Sequence, residues 1–217
     1  MSGGYVVVAT GNAGKVKEFT HAFAKLGLQV RSLKDYPDVP DIVEDGDSFA
    51  ANARIKAGTL GRLLNAPVLA DDSGLIVDAL GGEPGIYSAR YSGPGATDAA
   101  NNAKLLQELA AAGAEAASGA AERPDGERLL SSARFWCALA LYMPEQDDFI
   151  ESEGALEGYI LEHPRGEHGF GYDPLLWIPG KRRSAAELSV EEKQQISHRG
   201  EALRQLLGKL EQSGVRL

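Results

Sequence analysis

Apolar and polar positions change period several times along this chain, and each change marks an element. Residues 6–9 (VVVA) form a short β-branched apolar run, which predicts a buried strand. Residues 10–15 break the run. Apolar positions then return at helical spacing (Val16, Phe19, Phe23, Leu26), and Gly27 closes the segment. Residues 28–33 predict a second strand, so the chain opens strand–helix–strand, the pattern of an α/β fold. A proline- and acid-rich loop covers 35–47, and Asp47 or Ser48 is placed to cap a long helix to about Leu64. Residues 67–70 predict another buried strand ending in Asp71-Asp72-Ser73-Gly74, with 75–77 as a further strand. Residues 81–95 read as an ordered loop, and Thr97 caps a helix to about Ala112. Residues 132–142 and 149–159 form a strand pair across a polar turn, and such neighbours pair antiparallel. A Gly/aromatic loop at 166–173 precedes the capping-box pattern Ser189-Val190-Glu191-Glu192, and Ser197 is placed to cap a final helix to about Leu210.

Composition narrows the functional classes. A chain of 217 residues, 43% hydrophobic and 24% charged, is ordinary globular material for one large domain or two small lobes. Residues 113–128 hold no large apolar side chain and read as a flexible surface insertion. Cys137, the single cysteine, lies in an apolar run and reads as a buried structural thiol. No run approaches the ~20 apolar residues that span a bilayer, so the expectation is a soluble, cytoplasmic protein without membrane partners. The net charge of −9 is the wrong sign for a general nucleic-acid binder. An acidic chain that binds a nucleotide needs local devices: a divalent cation, placed lysines or helix N-termini.

Several segments carry such devices, each with a plainer reading beside it. Thr10, Gly11, Asn12, Ala13, Gly14 and Lys15 follow a strand and open a helix. They form either an anion cradle with a mobile ammonium or a tight turn with a solvated lysine, and they match neither the Walker A nor the dinucleotide fingerprint. Asp71 and Asp72 supply hard oxygens at the end of a strand, where α/β sheets bind ligands, or else cap a turn. Their side chains point to opposite faces if the segment is extended. Glu44 is a third carboxylate for a metal or part of a solvated acidic loop. Phe170, Gly171, Tyr172 and Asp173 join ring faces to a close-approach glycine, which suits a base or a packed turn. Lys193 and Ser197 share a helix face if that helix is continuous, and His198 and Arg199 are donors for a purine oxygen or surface decoration.

Taken in order, ATGNAGKVKE at 9–18, LADDSGLIVDALGGEPGIYSARYSG at 69–93, GFGYDP at 169–174 and AAELSVEEKQQISHRG at 185–200 resemble the inosine triphosphate pyrophosphatase family in its bacterial form. The similarity runs over nearly the whole chain. It implies an elongated two-lobed α/β fold, a mixed sheet with flanking helices and a central cleft, and a homodimer. It implies Mg²⁺-dependent hydrolysis of non-canonical purine nucleoside triphosphates (ITP, dITP, XTP) to the monophosphate and pyrophosphate. Residues 10–15 would hold the triphosphate. Asp72 would bind Mg²⁺ and accept a proton from water, with Glu44 and Asp71 helping to place the metal. Ser73, residues 170–173, Lys193, His198 and Arg199 would hold the substrate. One departure stands out: Ala51 occupies a position where the family commonly has glutamate, which implies weaker metal affinity. Two rivals remain: a pyrophosphatase for modified pyrimidine or ordinary deoxynucleotides, and a non-catalytic nucleotide sensor. The presence of Lys15 and Asp72 favours an enzyme.

Overall fold

The computed structural model of the protein describes residues 4–114 and 128–214. Residues 115–127, most of the expected insertion, lie outside the described residues. The elements in order are β1 (Tyr5–Val8), α1 (Ala13–Ala24), β2 (Gln29–Ser32), α2 (Phe49–Leu64), β3 (Val68–Val77), α3 (Asp98–Ala111), β4 (Leu129–Met143), β5 (Asp148–Leu161), β6 (Leu176–Ile178), β7 (Arg183–Ser184), α4 (Val190–Ile196) and α5 (His198–Ser213). One seven-stranded sheet runs β2-β1-β3-β4-β5-β6-β7. β1 pairs parallel with both β2 and β3, whereas β6 pairs antiparallel with β5 and β7, so the sheet is mixed. This is the expected α/β class with flanking helices.

The described chain divides into two compact units. Residues 4–72, 137–154 and 201–214 make the first, and 73–114, 128–136 and 155–200 make the second. The first is built on the parallel strands. β1 is apolar because both of its faces are covered. α1 buries Phe19, Ala22 and Phe23, one stripe at helical spacing, in a core with Val6, Val8, Leu69, Leu139 and Leu141. α5 adds Ala202, Leu203, Leu206 and Leu210 to the same core. Cys137 is fully buried there, as its apolar run predicts. The second unit gathers Leu75, Val77, Leu105, Leu109, Ile160, Leu175 and Leu176 into its own core.

α2 lies close to its neighbours because it carries small residues. A Cβ on Gly61 would fall 2.0 Å from the Tyr142 ring. Overpacking of this kind costs about 1–3 kcal/mol, partly offset by alanine's better helix propensity. Gly61→Ala is therefore expected to lower the thermal midpoint by about 2–6 °C, which differential scanning calorimetry reads directly. An unchanged midpoint would mean that Tyr142 swings aside at no cost.

β3 departs from the sequence expectation. The polar quartet 71–74 does not end one strand and begin another; a single strand runs through it. Gly74 is held there by close approach, since a Cβ would fall 2.4 Å from Ser88 Oγ, and Leu75 N–H donates to that same hydroxyl at 2.9 Å. The helix starts also shift. α1 begins at Ala13, because the Asn12 side chain caps it by accepting from Gly14 N (2.9 Å) and Lys15 N (3.2 Å). Ser48, not Asp47, caps α2 through Ala51 N.

Candidate functional site

The strand through residues 71–74 organises the site. In an extended segment successive side chains face opposite ways, and Asp71 and Asp72 do find different partners. Asp71 is buried and pairs with Lys15 of α1 at 2.7 Å. Asp72 Oδ2 accepts from Asn52 Nδ2 of α2 at 3.0 Å. Lys56, one turn further along α2, pairs with Glu44 at 2.9 Å and donates to the Asp71 carbonyl at 3.3 Å. Asn52 Oδ1 accepts from Gly46 N at 2.9 Å, which fastens the acidic loop to the first turn of α2. Ala51 sits against this loop, since a Cβ on Gly46 would lie 2.8 Å from its own.

The first unit thus brings together Lys15, Glu44, Asp71 and Asp72, together with Asn52 and Lys56, which the sequence reading missed. Their signal was available: Asn52 and Lys56 are four apart and share a helix face. Among the described residues no three His, Cys, Asp or Glu side chains form a group able to hold a metal. That does not disqualify a magnesium site, because Mg²⁺ usually takes one or two carboxylates and completes its shell with water and substrate phosphates. Glu44 and Asp72, both tied to one face of α2, fit that donor set. Asp71, the third expected carboxylate, pairs with Lys15 at 2.7 Å, as Glu44 pairs with Lys56 at 2.9 Å.

In the second unit a cavity of about 160 Å³ is lined by Ser73, Phe135, Phe170, Gly171, Tyr172, Asp173, Lys193, His198 and Arg199, with Ser88, Asp98 and Asn101 alongside. Ser73, residues 170–173, Lys193, His198 and Arg199, which the sequence singled out, all border it, and Ser197 does not. Its walls are tightly wired. Asp173, 2% exposed, accepts from Phe170 N at 2.9 Å and forms a short ion pair with Lys193. The Lys193 ammonium sits 5.0 Å from the centroid of the Phe170 ring. Gly169 permits this turn at φ +86°, and a Cβ there would fall 2.1 Å from the Asp173 carboxylate. Burial pushes the Tyr172 phenol well above its ordinary pKa, so it remains a neutral donor to the Ser88 carbonyl at 2.9 Å. Phe135 packs against His198 with ring centroids 5.3 Å apart. Phe170, by contrast, is 62% exposed.

Lys193 and Ser197 do not share one continuous helix. Ser197 is extended between α4 and α5, and its hydroxyl accepts from Gly200 N at 3.0 Å. The break sets His198 and Arg199 in the first turn of α5, at the cavity. The sequence reading missed Asp98, Asn101 and Phe135. They lie on α3 and β4, and nothing local distinguishes them from ordinary helix and strand positions.

Chemically, the first group offers carboxylate oxygens with two ammonium groups held beside them. The second offers an aromatic face with imidazole, guanidinium and ammonium donors. Asp72 and Ser73, neighbours in the chain, fall one in each unit.

The dITP/XTP pyrophosphatase of Geobacillus kaustophilus is 50% identical over 202 residues, covering 93% of this chain and 91% of that protein. The dITP/XTP pyrophosphatase of Streptococcus agalactiae is 49% identical over 205 residues, covering 94% of this chain, which spans 59% of that longer protein. The solved HAM1 protein of Coxiella burnetii superposes with a TM-score of 0.84 at 39% identity, over 96% of this chain and 99% of that one. The Ham1 family model matches residues 6–209. With that match over almost the full length, and the resemblance read from the four motifs borne out, the chain belongs to the Ham1 family.

Proposed function

We propose that this protein is a nucleoside-triphosphate pyrophosphatase that hydrolyses ITP, dITP and XTP to the monophosphate and pyrophosphate, with Mg²⁺ as cofactor. The observation that carries the reading is the convergence of Ser73, residues 170–173, Lys193, His198 and Arg199, from three separate segments, on one cavity with an exposed ring at its edge. Aromatic faces hold bases, and donors read their oxygens.

Residues 10–15 and Lys56 hold the triphosphate in this reading. Asp71 keeps the Lys15 ammonium oriented, and Glu44 does the same for Lys56. Glu44 and Asp72 would hold a magnesium ion, which would supply charge neutralisation on the phosphate oxygens. Asp72 takes a proton from the attacking water as its oxygen bonds to the α-phosphorus. The bond from that phosphorus to the bridging oxygen breaks, and pyrophosphate leaves with the electron pair, its charge met by the lysines and loop amides. Phe170 stacks on the purine, while His198 and Arg199 donate to its 6-oxygen.

The motif resemblance implies a homodimer, which sedimentation equilibrium would test. No helix among the described residues is long and apolar enough to cross a membrane.

The test is pyrophosphate release from ITP, dITP, XTP, GTP, ATP and dTTP, with Mg²⁺ and with chelator. Release from the first three at rates well above the others, abolished by chelator, is the expected result. Preferential release from dTTP would favour a pyrimidine-directed enzyme instead. Binding of ITP without release would make the protein a sensor.

A further inference from the structure

The loop that carries Phe170 is gripped from outside by a helix to which none of the functional roles above is given. Gly171 N–H donates to Asp98 Oδ2 at 2.7 Å, and Gly171 C=O accepts from Asn102 Nδ2 at 2.9 Å. Asp98 and Asn102 are four apart on α3 and so present one helix face. Both peptide groups flanking Gly171 are therefore tied to one rigid element. The residues on either side are also fixed: Phe170 N–H donates to Asp173, and the Tyr172 hydroxyl donates to the Ser88 carbonyl. Gly171 has φ +62°, and a Cβ there would meet open space, so the glycine is needed for its backbone angle alone. What this network leaves exposed is the ring of Phe170.

A large apolar ring held in solvent on an immobilised backbone has already lost the freedom that binding would otherwise remove, and such preorganisation shows up as affinity. We infer that Asp98 and Asn102 are positioning residues for base recognition, clamping Gly171 so that Phe170 is presented as a preformed stacking face for the purine. This rests on the proposed reading of the cavity as the base site. Stacking is indifferent to the base's edge and acts alike in the ground and transition states, so its loss raises KM and leaves kcat in place.

The experiment measures kcat and KM for ITP and XTP, and calorimetric Kd for ITP, in the wild type, Asp98→Ala, Asp98→Asn, Asp98→Ala/Asn102→Ala, Phe170→Ala and the Asp98→Ala/Asn102→Ala/Phe170→Ala triple variant. The double variant is expected to raise KM and Kd about tenfold, as lost hydrogen bonds of this type do, by the same factor for ITP and XTP and with kcat unchanged. Asp98→Asn keeps an acceptor for Gly171 N–H and is expected to stay within about twofold of wild type. Adding the double change to Phe170→Ala is expected to cost little more, since residues acting through one group are not additive. An unchanged KM, a loss confined to kcat, a defect in Asp98→Asn equal to that of alanine, or full additivity with Phe170→Ala would each overturn the clamp. A wild type that binds ITP but releases no pyrophosphate would sink the proposed hydrolysis, and the clamp would still be decided by Kd.

Discussion

Asp72→Asn is expected to reduce kcat for ITP about 10³-fold, since removal of a general base alone costs about 10²–10⁴. The substitution is nearly isosteric. It keeps an oxygen able to accept from Asn52 Nδ2, so the link from β3 to α2 survives and the thermal midpoint should move little. It removes two things together: the proton acceptor for water and the negative charge that a divalent cation needs. The two can be separated by titrating Mg²⁺. If the metal role dominates, high Mg²⁺ restores much of the rate; if the base role dominates, saturating metal leaves the rate low. Asp71→Asn provides the contrast. Its carboxylate faces Lys15, so its loss should raise KM through a misplaced ammonium rather than abolish turnover. A single-turnover assay with ITP would decide the matter, and an Asp72→Asn enzyme within tenfold of wild type would remove Asp72 from the chemistry.

That contrast depends on a feature only half visible in the sequence. The alternation of an extended segment predicts that Asp71 and Asp72 face apart, and the structure places them so. The sequence pattern, however, breaks the strand at the acids, because four polar or small residues interrupt an apolar run. In the fold those residues have partners: Asn52 and Lys15 satisfy the carboxylates, and Ser88 fills the space beside Gly74. Partners distant in the chain override local pattern, which is why β3 continues to Val77. The helix caps at Thr97 and Ser189 were legible because capping is a local event. Lys56 could have been found from its spacing to Asn52. Asp98 and Asn102 could not, since their meaning arises only where α3 meets a glycine 69 residues beyond Asn102. The cavity residues at 73, 170–173, 193, 198 and 199 were legible as motifs, but their convergence on one cavity is a property of the fold.

The preference for ITP over ATP should fall about 100-fold in Arg199→Ala and in His198→Ala. Hypoxanthine presents an acceptor at its 6-position and adenine a donor. A site of buried donors therefore gains a hydrogen bond with the first and is left opposed by the second, a difference that reaches 10⁴ or more in sites built around one polar group. Arg199 is 8% exposed and sits at the cavity with His198, whose ring rests on Phe135. Alanine at either position removes a donor without altering the Phe170 face, so ATP should gain relative to ITP while stacking remains. Guanine carries the same 6-oxygen as hypoxanthine. The ITP-to-GTP ratio should consequently stay near its wild-type value in both variants, which distinguishes loss of the 6-position contact from a general loosening of the pocket. Competition assays with ITP against ATP and against GTP measure both ratios in one protein preparation. If the ITP-to-ATP ratio holds in both variants, discrimination at the 6-position belongs to other groups. If both ratios fall together, His198 and Arg199 shape the pocket rather than read the base.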